Sequence, residues 1–245
     1  MRLAFPSKRL EVRRQMATQM WDMLGRYGTE PEHFKHILKH HKKYLSIYND
    51  DILERLKGRP YIVITSHSGS MGLLSIPFAL HKIPGHIVYK FPGNNLTADI
   101  TRRTFGQDIG NLKFINNNTA GVREMMAVLR DKGALCIIPD HRLGKGIPTK
   151  FFGRSVLSPG GAAKLAGHFD CPILPVQIIR HEGLNHSIIF HEPFHASRGR
   201  DGRTDETKTT QRINDVIEGW IRENPEQWFW VHDRFGIKGK VRDAR

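Results

Sequence analysis

The segment 61-YIVITSHSGSMGLL-74 decides how the rest of the chain is read. Tyr61 to Thr65 form an apolar, β-branched run of the kind that fills a strand buried on both faces. The small residues Ser66, Ser68, Gly69 and Ser70 follow, and an apolar stretch from about Gly69 to His81 then reads as a helix. Strand, sharp turn and helix in this order open a βαβ unit. His67 falls at the carboxyl end of the strand, where open parallel sheets bind ligands. Beside a helix N-terminus it is placed for general-base work on a substrate that develops negative charge. The same position also suits a histidine that caps the helix or fills the turn.

Outward from this unit the pattern repeats. Strands are expected near 86–90, 112–115, 134–138, 172–179 and 186–191, and helices near 96–107, 118–131, 159–169 and 205–223. Before Tyr61 the periodicity predicts helices over 8–26, 30–47 and 50–57. The expectation is an α/β fold: a mostly parallel central sheet flanked by helices on both faces, with an N-terminal helical cap. Residues 1–58 form that cap or a membrane-facing segment, and 59–245 one continuous core. The polar stretch 197-SRGRDGRT-204 is expected to be the mobile piece.

Composition narrows the classes. The 245 residues carry 38 Lys+Arg against 24 Asp+Glu, a formal net charge of +14, with 39% hydrophobic residues. That is too apolar for a disordered polycation. The excess is spread along the chain, at 13 basic to 7 acidic over residues 1–60, 14 to 8 over 61–195 and 11 to 9 over 196–245. No compact basic block, zinc-finger spacing or RNP aromatic motif accompanies it, which argues against a nucleic-acid partner. No apolar run approaches the ~20 residues of a membrane-spanning helix. Cys136 and Cys171 sit in apolar strand-like segments and read as reduced core residues. The first segment mixes Arg9, Arg13 and Arg14 with Leu10, Met16, Met20 and Trp21, which suits either a helix on an anionic membrane surface or one packed on the core.

A second constellation is 134-ALCIIPDHRLGKGIPTKFFG-153. A buried strand delivers Asp140 and His141 to its carboxyl end, on the same sheet edge as His67 if the two strands are parallel neighbours. Arg142, Gly144, Lys145 and Gly146 follow and suit contact with an anionic group. The stretch is not a P-loop, because Pro139 stands at the first glycine position and no Ser/Thr follows Lys145. Ser70 in 68-SGSMG-72 resembles a nucleophile elbow, but Ser68 occupies the first glycine position. His33, His36 and His40 share a helical face with interleaved lysines that oppose a cation. No metal and no cofactor is expected.

With His67, Asp140 and the C-terminus in view, the chain resembles the lysophospholipid acyltransferase superfamily, and most of all the bacterial lipid A lauroyl/myristoyl transferases. The resemblance is carried by 66-SHSGSMG-72, 88-VYKFPGNN-95, 100-ITRRTFG-106, 138-IPDHRLGKGIPTKFFGRSVLSPGGAAKLA-166 and 224-NPEQWFWVHDRF-235, in the family's order. It implies transfer of a fatty acyl group from an acyl-carrier-protein thioester to a hydroxyl of a phosphorylated, acylated glucosamine disaccharide. In that chemistry His67 takes the hydroxyl proton, and backbone N–H groups of Ser68, Gly69 and Ser70 face the oxyanion. Asp140 orients His67 or a substrate group, and Arg102, Arg103, Arg142 and Lys145 hold phosphate or the carrier's acidic surface. The implied partners are acyl carrier protein, a phosphorylated glycolipid acceptor and an anionic membrane surface, with the protein peripheral to the cytoplasmic face of the inner membrane.

Two departures stand out. The family places a carboxylate five residues after the histidine, and here that position is Gly72. Either another acid replaces it, Asp140 first and Asp108 second, or the protein is a catalytically impaired homologue that binds lipid or carrier. The family's N-terminal hydrophobic helix is also missing from this sequence, so attachment to a bilayer is expected from surface residues, or the chain is a shortened form.

Overall fold

The computed structural model describes residues 1–90 and 112–237. Helix α1 (Leu10–Thr29) leads through a 3-10 turn (Glu30–His33) to the short helices α2 (Phe34–Lys39) and α3 (His41–Tyr44). Strand β1 (Leu45–Tyr48), helix α4 (Asp51–Leu56) and strand β2 (Tyr61–Ile64) follow. Beyond the turn come α5 (Ser75–Leu80), β3 (Gly85–Tyr89), β4 (Leu112–Asn116), α6 (Thr119–Arg130) and β5 (Ala134–Ile137). A hairpin of β6 (Ile147–Phe151) and β7 (Arg154–Ser158) precedes α7 (Gly161–Phe169). Strands β8 (Ile173–Arg180) and β9 (His186–Phe190), helix α8 (Glu206–Glu223) and a 3-10 turn (Pro225–Gln227) follow.

Seven strands form one sheet in the order β1-β9-β8-β2-β5-β3-β4. Every neighbouring pair is parallel except β8 with β9. The apolar runs explain why both faces are covered. Ile62, Ile64, Leu135 and Ile173 enter one core layer, closed by Val128 and Leu129 of α6, Ala162 and Ala166 of α7 and Ile213, Ile217 and Trp220 of α8. Their sequence neighbours Tyr61, Val63, Cys136 and Leu174 enter the opposite layer, against Phe34, Ile37, Ile52, Leu53 and Phe78. Alternation by one residue thus assigns each strand side chain to a layer, and each fully buried Leu or Ile contributes about 1.5–3 kcal/mol. Cys136 and Cys171 are free and buried on opposite sides of the sheet.

The N-terminal stretch is helical as expected, but in different pieces. The single helix expected over 30–47 is instead a 3-10 turn, with Pro31 in its first turn, and two short helices that part at His40, and its end is edge strand β1. Leu45 is buried, Ser46 exposed, Ile47 half-buried and Tyr48 exposed. That alternation is a half-buried strand, too short a signal beside helical neighbours to be read ahead of them. Ala4, Phe5 and Met16 belong to the same core layer as Ile62 and Ile64.

Two stretches outside the expected elements also carry backbone pairing. The β6–β7 hairpin turns on Phe152 and Gly153 with φ of 51° and 69°, two successive left-handed residues as in a type I′ turn. Phe152 occupies this position against the rings of Phe5 at 5.2 Å and Trp230 at 6.1 Å. The 197–204 stretch is a compact turn closed by a bridge between Arg198 and Thr204, with the Arg198 guanidinium 2.6 Å from Asp170. The helix expected near 96–107 lies outside the described residues.

Candidate active site

Strands β2 and β5 are parallel neighbours with Ile64 level with Ile137. His67 and Asp140 each follow three residues later, so the register alone carries them to the same point beyond the sheet's carboxyl edge. There His67 Nδ1 and Asp140 Oδ1 are 2.5 Å apart. The second carboxylate oxygen, Oδ2, accepts the His67 backbone N–H at 2.6 Å and the Trp228 indole N–H at 2.8 Å. Asp140 is fully buried, whereas the His67 side chain keeps 21% of its surface. With Nδ1 committed to the carboxylate, the tautomer that matches this network carries its proton on Nδ1 and leaves Nε2 free to accept one.

The electrostatics follow from this geometry. Burial works against a charged His67, but the negative charge of Asp140 and its hydrogen bond outweigh it and raise the imidazole above its ordinary 6.5. Burial likewise opposes the Asp140 charge, yet His67 and the donated bonds from His67 and Trp228 hold the carboxyl well below the usual range. The neighbouring imidazoles behave differently. Burial lowers both His141 and His232, and proximity to His67 lowers them further. The His232 ring lies 4.8 Å from that of His67, edge to face.

The turn after His67 is held from the C-terminal side. Gly69 has φ of 56°, and a Cβ there would come 2.9 Å from the Ile178 carbonyl, so only glycine fits. Its N–H donates to the Gln227 carbonyl at 3.1 Å, while the Ser68 N–H donates to the Ser66 carbonyl at 2.8 Å. Two of the three backbone donors expected to face an oxyanion are therefore already engaged. Ser70 is fully buried and its Oγ has no hydrogen-bond partner, so no base is in contact with this hydroxyl. Gly72 lies in a 3-10 turn (Met71–Leu74), not in the first turn of a regular helix.

The loop after Asp140 leaves Arg142 and Lys145 exposed. Arg142 lies along the C-terminal segment, with its Nε 2.9 Å from where a Gly236 Cβ would stand. Arg102, Arg103 and Asp108 lie outside the described residues. His36 and His40 have their rings 4.7 Å apart, with His36 Nε2 3.3 Å from the Tyr44 hydroxyl. Among the described residues no group of three His, Cys, Asp or Glu side chains is arranged to hold a metal ion, and no helix is long and apolar enough to cross a membrane.

Sequence reasoning did not assign roles to Trp228 and Arg234. Both lie in 224-NPEQWFWVHDRF-235, and their burial is the signal a lone sequence conceals. Arg234 is fully buried and donates to the His141 carbonyl at 2.9 Å, the Leu157 carbonyl at 3.0 Å, Ser158 Oγ at 2.6 Å and Asn214 Oδ1 at 3.1 Å. It thereby pins the start of the loop that follows Asp140. A sequence model of the bacterial lipid A biosynthesis acyltransferases matches residues 1–236. The chain belongs to this family. No curated protein matches it. For a lipid A biosynthesis acyltransferase the implied chemistry is acyl transfer from an acyl donor to a lipid acceptor.

Proposed function

We propose that this acyltransferase moves a fatty acyl group from an acyl-carrier-protein thioester to a hydroxyl of a lipid A precursor, with His67 as general base and Asp140 as its orienting acid. The carrying observation is the His67–Asp140 contact at the carboxyl edge of β2 and β5, with the carboxylate buried and the imidazole partly open. His67 Nε2 takes the hydroxyl proton as the acceptor oxygen attacks the thioester carbonyl. A C–O bond forms, the tetrahedral intermediate collapses with loss of the C–S bond, and the departing thiolate recovers the proton from the imidazolium. General-base assistance of this kind is worth about 10²–10⁴ in rate. Arg142 and Lys145, exposed beside this edge, suit the acceptor's phosphate or an acidic carrier surface. The protein works peripherally at the cytoplasmic face of the inner membrane, where the acceptor lipid resides.

The reading of an impaired homologue rests chiefly on Gly72. The Asp140 contact weakens that ground, because an acid is already on Nδ1. The test is an acyl-transfer assay with acyl-carrier thioester and lipid A precursor. His67→Ala is expected to lower turnover by about 10²–10⁴. Wild-type turnover in that variant would sink the general-base role, and release of free fatty acid without acceptor would indicate a hydrolase instead.

A further inference from the structure

Residues 227–229 lie across the His67 turn as a short antiparallel segment. Gly69 N–H donates to the Gln227 carbonyl at 3.1 Å, Phe229 N–H donates to the His67 carbonyl at 2.9 Å, and Ser68 forms a bridge with Trp228. A short backbone ladder of this kind does not fix its own register. The Gln227 side chain supplies what the ladder lacks. Its Oε1 accepts the Arg180 backbone N–H at 2.8 Å, and its Nε2 donates to the Arg180 carbonyl at 3.0 Å. One amide is thus satisfied at both ends by a single residue at the end of β8. That residue is itself held: the Arg180 guanidinium makes two bonds to the Glu30 carboxylate, at 2.7 and 2.5 Å, and the two side chains keep only 8% and 3% of their surface.

We propose that Gln227 is a positioning residue for His67. By clamping 227–229 onto the end of β8 it sets both strands of the mini-ladder, so that the His67 backbone and the Trp228 indole reach the same Asp140 oxygen. A buried ion pair contributes little net stability, and its use here is to hold one arrangement of β8. The inference rests on the reading of His67 as the base, but it concerns the geometry of the imidazole and can be observed apart from turnover.

The experiment is proton NMR of the full chain, following the low-field imidazole N–H that disappears in His67→Asn. In Gln227→Met, which keeps volume and loses both amide bonds, this resonance is expected to move or broaden. The kcat is expected to fall about a hundred-fold, with KM for acyl donor and acceptor unchanged. Gln227→Glu keeps the acceptor for the Arg180 N–H and is expected to lie between, and it decides the matter by the same resonance if Gln227→Met does not fold. An unchanged resonance, with activity lost only in proportion to folded protein, overturns the proposal. A displaced resonance beside a His67→Ala variant of wild-type rate upholds the positioning role and removes the general-base reading.

Discussion

At the scale of single residues, the site turns on one imidazole whose proton is governed by a buried carboxylate. The proposed general-base role of His67 needs the neutral ring, and Asp140 stabilises the charged one. The acidic limb of kcat/KM is therefore expected above 6.5, the ordinary histidine value, and Asp140→Asn is expected to move that limb to lower pH. His141 and His232 also face His67, and both are held toward the neutral form. A pH–rate series over wild type and Asp140→Asn checks this, and coincident limbs would contradict it. The same shifts govern stability with opposite signs. The raised His67 contributes stability that is full below 6.5 and is lost as pH rises through its folded value. The depressed Asp140 contributes stability that is present above 3.8 and is lost as pH falls through its folded value. Trp228→Phe removes one donor to the buried carboxylate and leaves part of the fully buried indole's volume unfilled, and is expected to cost at least about 1.5–3 kcal/mol in urea unfolding. His67 and Asp140 were both legible in the sequence, because each follows an apolar run that ends at a sheet edge. Trp228 was not, because a hydrogen bond across 88 positions leaves no local trace.

At the scale of elements, the sequence read best where one period dominates. The runs at β2, β5 and β8 and the amphipathic α8 announce themselves, since each faces a continuous apolar layer. It read worst where polar contacts far along the chain hold the backbone. The β6–β7 hairpin is one such case. Thr149 and Ser158 lie 2.7 Å apart across it, and Asn214 of α8 donates to each at 2.9 Å. Asn214→Leu removes the amide that donates to both hydroxyls and accepts from Arg234, and is expected to destabilise the fold by about 2–4 kcal/mol in chemical denaturation. The turn at Gly69 is the other sensitive element. Gly69→Ala puts a Cβ against the Ile178 carbonyl in a left-handed backbone, and is expected to lower the thermal midpoint and transfer rate together. Gly72→Glu adds a carboxylate to a 3-10 turn whose histidine is already paired, and is expected to bring no gain in transfer rate.

At the scale of the whole molecule, a charge of +14 spread along the chain fits anionic partners met over a broad surface. Binding to vesicles that contain anionic phospholipid is expected to weaken steeply as salt rises, and sedimentation with vesicles across a salt series measures this. The sheet order was not legible, because strand neighbours far apart in sequence, such as β2 with β5 and β8, are chosen by packing of whole layers. That order nevertheless carries the geometry on which the proposed reaction depends. It brings an acid from the end of β5 to an imidazole from the end of β2. The most direct measurement is the rate of acyl transfer by Asp140→Asn beside wild type at a pH where His67 is neutral in both. Loss of an orienting carboxylate of this kind is expected to lower the rate by about 10⁴. An undiminished rate in a folded Asp140→Asn protein would contradict the assignment of Asp140 as the acid that serves His67.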